Sequence, residues 1–280
     1  MSLQRTSSLT STRSLYDPVG RDWSMLGAGR ACCCPGGDGD QLRSAVPRPD
    51  RAGAAGLVSA SARPVAVQPQ AAPAGRLISS VQQRLAYWLH AGGVRLSDGT
   101  LIGAANYPGC QQRSDFAGFA RFGFAKSQHR FVYGVRLVLL TDCRGLPLGS
   151  TIVPASDREY EPLLDLLTGI PAEVVIGDKG FWGRDYAARL AAGGTTLLTP
   201  NKQRTADNLV RERALASTRL VIESVFSNLK EQRRVERHLT RTPAGLVVRI
   251  AQRILALTLG MLLNTLSGRP ARALVAYDGR

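Results

Sequence analysis

A membrane-spanning helix is not expected from this sequence, which has little in the way of long uninterrupted apolar runs. The longest apolar run, Ile254 to Leu263, falls far short of the roughly 20 residues that a span needs, and Arg249, Gln252 and Arg253 interrupt it on its N-terminal side. Cysteine is scarce too: five residues in 280, with Cys32, Cys33 and Cys34 adjacent and Cys110 and Cys143 standing alone. An odd number without paired spacing argues against a disulfide framework, and no Cys-x-x-Cys pair has a second half, so reduced thiols in a cytoplasmic protein are expected. Between Met1 and Gly75 there is no lysine, no glutamate and no sustained apolar period. Such a Gly-, Pro-, Ser- and Ala-rich composition cannot bury a continuous apolar face, so residues 1–75 are predicted to be disordered or poorly folded. The Ser-, Thr- and Arg-rich opening Met1–Arg21 also has the composition of an organelle transit peptide, and Asp38-Gly39-Asp40, without further acidic ligands at loop spacing, reads as a solvated turn.

Negative charge is the remaining deficit. Asp+Glu of 21 against Lys+Arg of 36 gives net +15, which favours a polyanionic partner such as nucleic acid over an acidic small molecule. A hydrophobic content of 44% is that of a globular protein, and the length allows one or two domains.

Order is predicted to begin near Leu77, where Leu77, Val81, Leu85, Trp88 and Leu89 repeat at helical spacing up to Gly92-Gly93. Val94 to Ile102 reads as a strand carrying Asp98. Asn106 to His129 reads as a loop in which Arg113, Arg121, Lys126 and Arg130 interleave with Phe116, Phe119, Phe122 and Phe124; both base stacking and a core flap fit that mixture. Phe131–Thr141 and Leu146–Pro154 form a hairpin about the turn Asp142-Cys-Arg-Gly145. A helix (Glu159–Leu167), a strand (Ala172–Ile176) ending at Asp178, a helix (Tyr186–Ala192) and a strand (Thr195–Leu198) follow. Asn201–Asp207 is a basic loop before a long helix, and Ala244–Leu266 is a last, buried helix. The fold class is therefore α/β, a mixed sheet covered by helices, with a site expected at the carboxyl ends of strands.

The long helix carries the densest chemistry. Ile222, Val225, Phe226 and Leu229 mark one face, while Arg219, Glu223 and Lys230 lie within roughly 40° of one another at about 100° per residue. A carboxylate between two cations can serve a metal ion and a phosphate together; it can also be an ordinary i,i+4 surface pair. Asp178, in Val174-Val-Ile-Gly-Asp-Lys-Gly-Phe181, is either an exposed strand-end carboxylate or a helix cap. Trp182 beside it suits base stacking or core packing, and His238 suits the surface or a cap better than a ligand set.

In these motifs the chain resembles the insertion-sequence DDE transposases, whose catalytic domain has a ribonuclease-H-like fold. Asp98-Gly-Thr is similar to the family's Asp-Ser-Thr, Gly177-Asp-Lys-Gly-Phe181 follows a later strand, and Arg219-x3-Glu223-x6-Lys230 resembles the tyrosine, arginine, glutamate, lysine signature of one branch, with Ala216 at the tyrosine position. Tyr133-Gly-Val-Arg-Leu, Gly145-Leu-Pro-Leu and Glu236-Arg-His-x-x-Arg-Thr-Pro243 extend the similarity over roughly Leu77 to Leu266. The resemblance implies a ribonuclease-H-like catalytic domain over residues 94–268 and a linker helix over 76–93. That helix would be the remnant of a helical N-terminal region decayed or frameshifted here, and 269–280 would be a tail.

It further implies cleavage of element ends and strand transfer, using two Mg2+ ions roughly 4 Å apart, with Mn2+ as a substitute. Asp98, Asp178 and Glu223 would be the catalytic metal ligands, with Asp115 and Asp142 as rivals to Asp98. Arg219, Lys230, Lys179, Lys202 and Arg204 would hold DNA. The implied partners are double-stranded DNA, both terminal inverted repeats and target, and further copies of the chain on that DNA. No membrane is implied, and the location would be the bacterial cytoplasm, at the nucleoid when DNA is bound. A non-catalytic DNA-binding descendant and a ribonuclease-H-like nuclease are the alternatives.

Overall fold

The structure, a computed structural model, describes residues 73–90, 92–178, 181, 183–200 and 209–274. The expectations for residues 1–72, for Lys179, Trp182, Lys202 and Arg204, and for the end of the tail lie outside the described residues. Helix α1 (Pro73–Leu89) leads into β1 (Val94–Gly103). A short helix α2 (Cys110–Arg113), β2 (Arg121–Ala125), β3 (Arg130–Asp142) and β4 (Pro147–Pro154) follow. Then come α3 (Tyr160–Gly169), β5 (Val174–Ile176), α4 (Arg184–Ala192), β6 (Thr196–Leu198), α5 (Leu209–Glu231) and α6 (Pro243–Leu266).

The strands form one mixed sheet in the order β2-β3-β1-β5-β6, with β4 also paired to β3. β3 is antiparallel to β1, β2 and β4, whereas β5 runs parallel to β1 and β6 parallel to β5. This is the mixed, helix-covered α/β architecture that the sequence predicts. The long strand β3 is apolar on both faces because both are covered. Val135, Leu137 and Leu139 enter a large core with α5 and α6, while Val138 and Leu140 pack with Leu163, Leu166 and Phe181 on the other side.

Two local readings change, and that of the last helix holds. The segment 106–129, read as a loop, contains α2 and β2; the alternation in Arg121-Phe-Gly-Phe-Ala125 is too short to stand out from its aromatic surroundings, and pairing with β3 makes it a strand. Helix α1 exists, but most of its predicted apolar stripe is not its buried face: Leu77, Val81 and Trp88 are exposed and Leu85 and Leu89 half-buried, while Gly75, Gln82 and Ala86 are buried. Gln82 is held there because its Nε2 donates to Pro147 O at 2.7 Å and to Thr258 Oγ1 at 3.2 Å, ties that apolar periodicity cannot reveal. Helix α6 is, by length and composition, apolar enough to cross a membrane; Leu246, Ile250, Ile254, Leu257 and Met261 instead line the large core.

Candidate active site

β1 presents Asp98 opposite Leu139 of β3, and the parallel neighbour β5 ends at Ile176, two residues before Asp178. Both carboxylates line one cleft of 750 Å3, together with Glu159, Lys230, Glu236 and Arg237. The parallel pairing of β1 with β5 explains the convergence, since it sends the two chains toward the same end of the sheet. Neither rival to Asp98 lines the cleft. Asp115 is exposed elsewhere, and Asp142 is fully buried in the β3–β4 turn, where its Oδ1 accepts from Arg144 N and Leu146 N, each at 2.9 Å. That turn closes through Gly145 at φ +86°, a left-handed conformation natural to glycine.

Asp98 Oδ1 accepts from the Gly99 amide at 2.8 Å. Burial pushes its carboxyl up to about 7; the Gly99 amide opposes this, Glu159 and Asp178 add to it, and Arg219 works against it. Glu159 is the residue that sequence reading missed as a site component. It sits at the start of α3, yet its side chain does not cap the helix; it pairs with Arg136 of β3 instead. A Cβ on Gly99 would lie 2.6 Å from Glu159 Oε1, so the carboxylate rests against bare backbone beside Asp98. The glycine at that position was the available signal.

Asp178 is not a helix cap: α4 begins after Gly183. Gly177 is required by close approach, because a Cβ there would fall 2.8 Å from the Phe181 ring. On α5, Leu215, Ile222, Val225, Phe226 and Leu229 are buried, which turns Arg219 and Glu223 away from the core. Arg219 Nη2 lies 3.0 Å from Asp178 Oδ1 and 3.4 Å from Glu223 Oε1, and so ties the strand-end carboxylate to the helix. Lys230 Nζ pairs with Glu236 Oε1 at 3.1 Å. His238, expected at the surface or a cap, is buried. One ring nitrogen lies 2.8 Å from Gly103 O and the other accepts from Thr240 N at 3.1 Å, so the ring is a strut between the end of β1 and the segment after α5.

Among the described residues, no three Asp, Glu, His or Cys side chains converge tightly enough to enclose a cation. The guanidinium of Arg219 holds Asp178 and Glu223 in the place where such charge would be needed. The all-oxygen donors suit a hard divalent ion, and because burial, with Glu159 and Asp178 nearby, raises the Asp98 carboxyl, a cation bound beside it would favour its ionised form. Residues 90–259, more than half of the chain, match the family described as the Transposase DDE domain. No curated protein matches.

Proposed function

Because the chain belongs to the transposase DDE domain family, we propose that it cuts the ends of an insertion element and joins them to target DNA. In the first step water attacks a phosphodiester and the 3'-oxygen leaves, taking up a proton. In the second that 3'-OH attacks a target-strand phosphorus, loses its proton and displaces the strand beyond. Divalent ions, Mg2+ or Mn2+, supply the Lewis-acid charge for both displacements when bound. Asp98 and Asp178 would bind them, with Glu223 completing the set. Arg219, released from Asp178 and Glu223, and Lys230, released from Glu236, would grip phosphates, the former through its planar fork and the latter as a point charge. Lys179, Lys202 and Arg204 would extend that grip.

The observation that carries this reading is the presence of Asp98, Asp178 and Lys230 in one cleft, with Arg219 coupling Asp178 to Glu223. Residues 94–268 would form the catalytic domain, with 76–93 as a linker helix and 269–280 as a tail. The chain would act as an oligomer on double-stranded DNA, in the bacterial cytoplasm and without a membrane. Glu223→Gln removes one ligand charge without changing shape. It is expected to abolish Mg2+-dependent plasmid cleavage while leaving DNA affinity within a few-fold. Undiminished cleavage by this variant would remove Glu223 from the set. The same assay, followed to strand joining, separates a transposase from a nuclease, and wild-type binding without cleavage would indicate a DNA-binding descendant.

A further inference from the structure

Beside the cleft, β2 and β3 project as a two-stranded ribbon whose turn, Lys126–Gln128 followed by His129 in the left-handed region at φ 47°, separates two aromatic strands. The register sets Phe122 opposite Tyr133 and Phe124 opposite Phe131, so these four rings share one face. Tyr133 is buried and its hydroxyl lies 3.2 Å from Phe116 O, which anchors the row in the core. Outward from it the rings stay in contact, with centroids 5.2 Å apart for Phe122–Tyr133 and 5.2 Å for Phe124–Phe131, but they are uncovered: Phe122 and Phe124 are 46% exposed and Phe131 is 70% exposed. Ala125, Arg130 and Val132 of the opposite face line the cleft that holds Asp98 and Asp178, and so do Phe124 of the ring face and Lys126 and Gln128 of the turn, so the row of rings begins at the cleft's rim. From Arg121 to Gly134 there are three cations, Arg121, Lys126 and Arg130, and no carboxylate.

We propose that this ribbon is a stacking platform for an unpaired nucleobase of the DNA strand held in the neighbouring cleft. The inference rests on the transposase reading for the presence of DNA there. An apolar protein partner would use the rings but not the cations of the turn and the cleft face, whereas a nucleic acid uses both: a backbone leaving the cleft meets Arg130 and Lys126 while a base turned over the ribbon's edge lies on Phe131 or Phe124, and Arg121 stands 3.9 Å from Asp157. Intact duplex does not fit, because each base face is already covered by its neighbours. A cut strand or an extruded nucleotide offers a free face beside the site where the cut is made.

The test uses the full chain and three probes of equal length: a fluorescent oligothymidine, a blunt duplex, and a duplex with a short unpaired 3' end. Phe131→Ala is expected to weaken binding of the oligothymidine and the unpaired end by roughly 5- to 100-fold and of the blunt duplex by less than about twofold. Phe131→Leu, which keeps apolar bulk and secures the fold, should lose most of the same affinity. Phe131→Trp should keep it, and its fluorescence should be quenched on oligothymidine binding. The proposal is overturned if Phe131→Leu binds all three probes as the wild type does, if the loss is equal for the blunt duplex, or if Phe131→Ala instead abolishes a concentration-dependent dimer. Strand cleavage is scored separately: single-strand binding that depends on Phe131 in a wild-type chain that cuts nothing would sink the transposase reading and leave the platform standing.

Discussion

At the scale of single residues, the candidate site is a set of charges that compensate one another, Arg219 between Asp178 and Glu223 and Lys230 against Glu236. Asp98 is the least comfortable of them. Its ordinary value of 3.8 is raised by burial to about 7 in the folded chain, so folding favours the protonated form. The sign follows from linkage: the stabilising contribution is complete below about pH 4 and is lost as pH rises through about 7, because the unfolded chain then releases a proton that the folded chain retains. Urea melts of the metal-free protein between pH 4 and pH 8 should show stability declining across that window. Asp98→Asn should flatten the decline, and an unchanged slope would contradict the raised carboxyl. Added Mg2+ should restore stability most at the upper end, where Asp98 is ionised.

At the scale of elements, the proposed site depends on α5, whose buried face docks the helix that carries Arg219, Glu223 and Lys230. Leu229 is fully buried next to Lys230. Leu229→Ala is expected to cost about 3 kcal/mol in chemical denaturation. If cleavage depends on the helix being docked, activity should fall earlier in urea than for the wild type; an undiminished midpoint would show that the helix is held by other contacts. This helix was legible in the sequence, since Ile222, Val225, Phe226 and Leu229 keep helical spacing. So was the β3–β4 hairpin, from its two apolar strands and the Asp142–Gly145 turn. The buried side of α1 was not legible. Its partners are Pro147 O and a threonine on α6, groups far away in sequence, and a helix can bury a glutamine when such partners exist.

At the scale of the whole molecule, net +15 sets how the chain meets DNA. If about six phosphates are contacted, affinity should fall by roughly 10³ between 50 and 200 mM salt, measured by fluorescence anisotropy on random-sequence duplex, and a flat response would assign the charge to some other purpose. Lys230→Ala should reduce the slope by about one at most, because the lysine must first leave Glu236. The sequence by itself determined the charge and most of the alternation of strands and helices, since these are fixed by composition and local periodicity, and it carries the family through its match over residues 90–259. Only the tertiary structure decided which carboxylates meet. Asp98 and Asp178 come together because β1 and β5 pair in parallel, whereas Asp142, equally prominent in the sequence, is consumed by its own turn. Glu159 joins the site because a bare glycine leaves room beside Asp98, and Arg219 reaches Asp178 across some forty residues of chain. Such encounters depend on strand pairing and on the space between side chains, and neither is written in any local stretch of the chain.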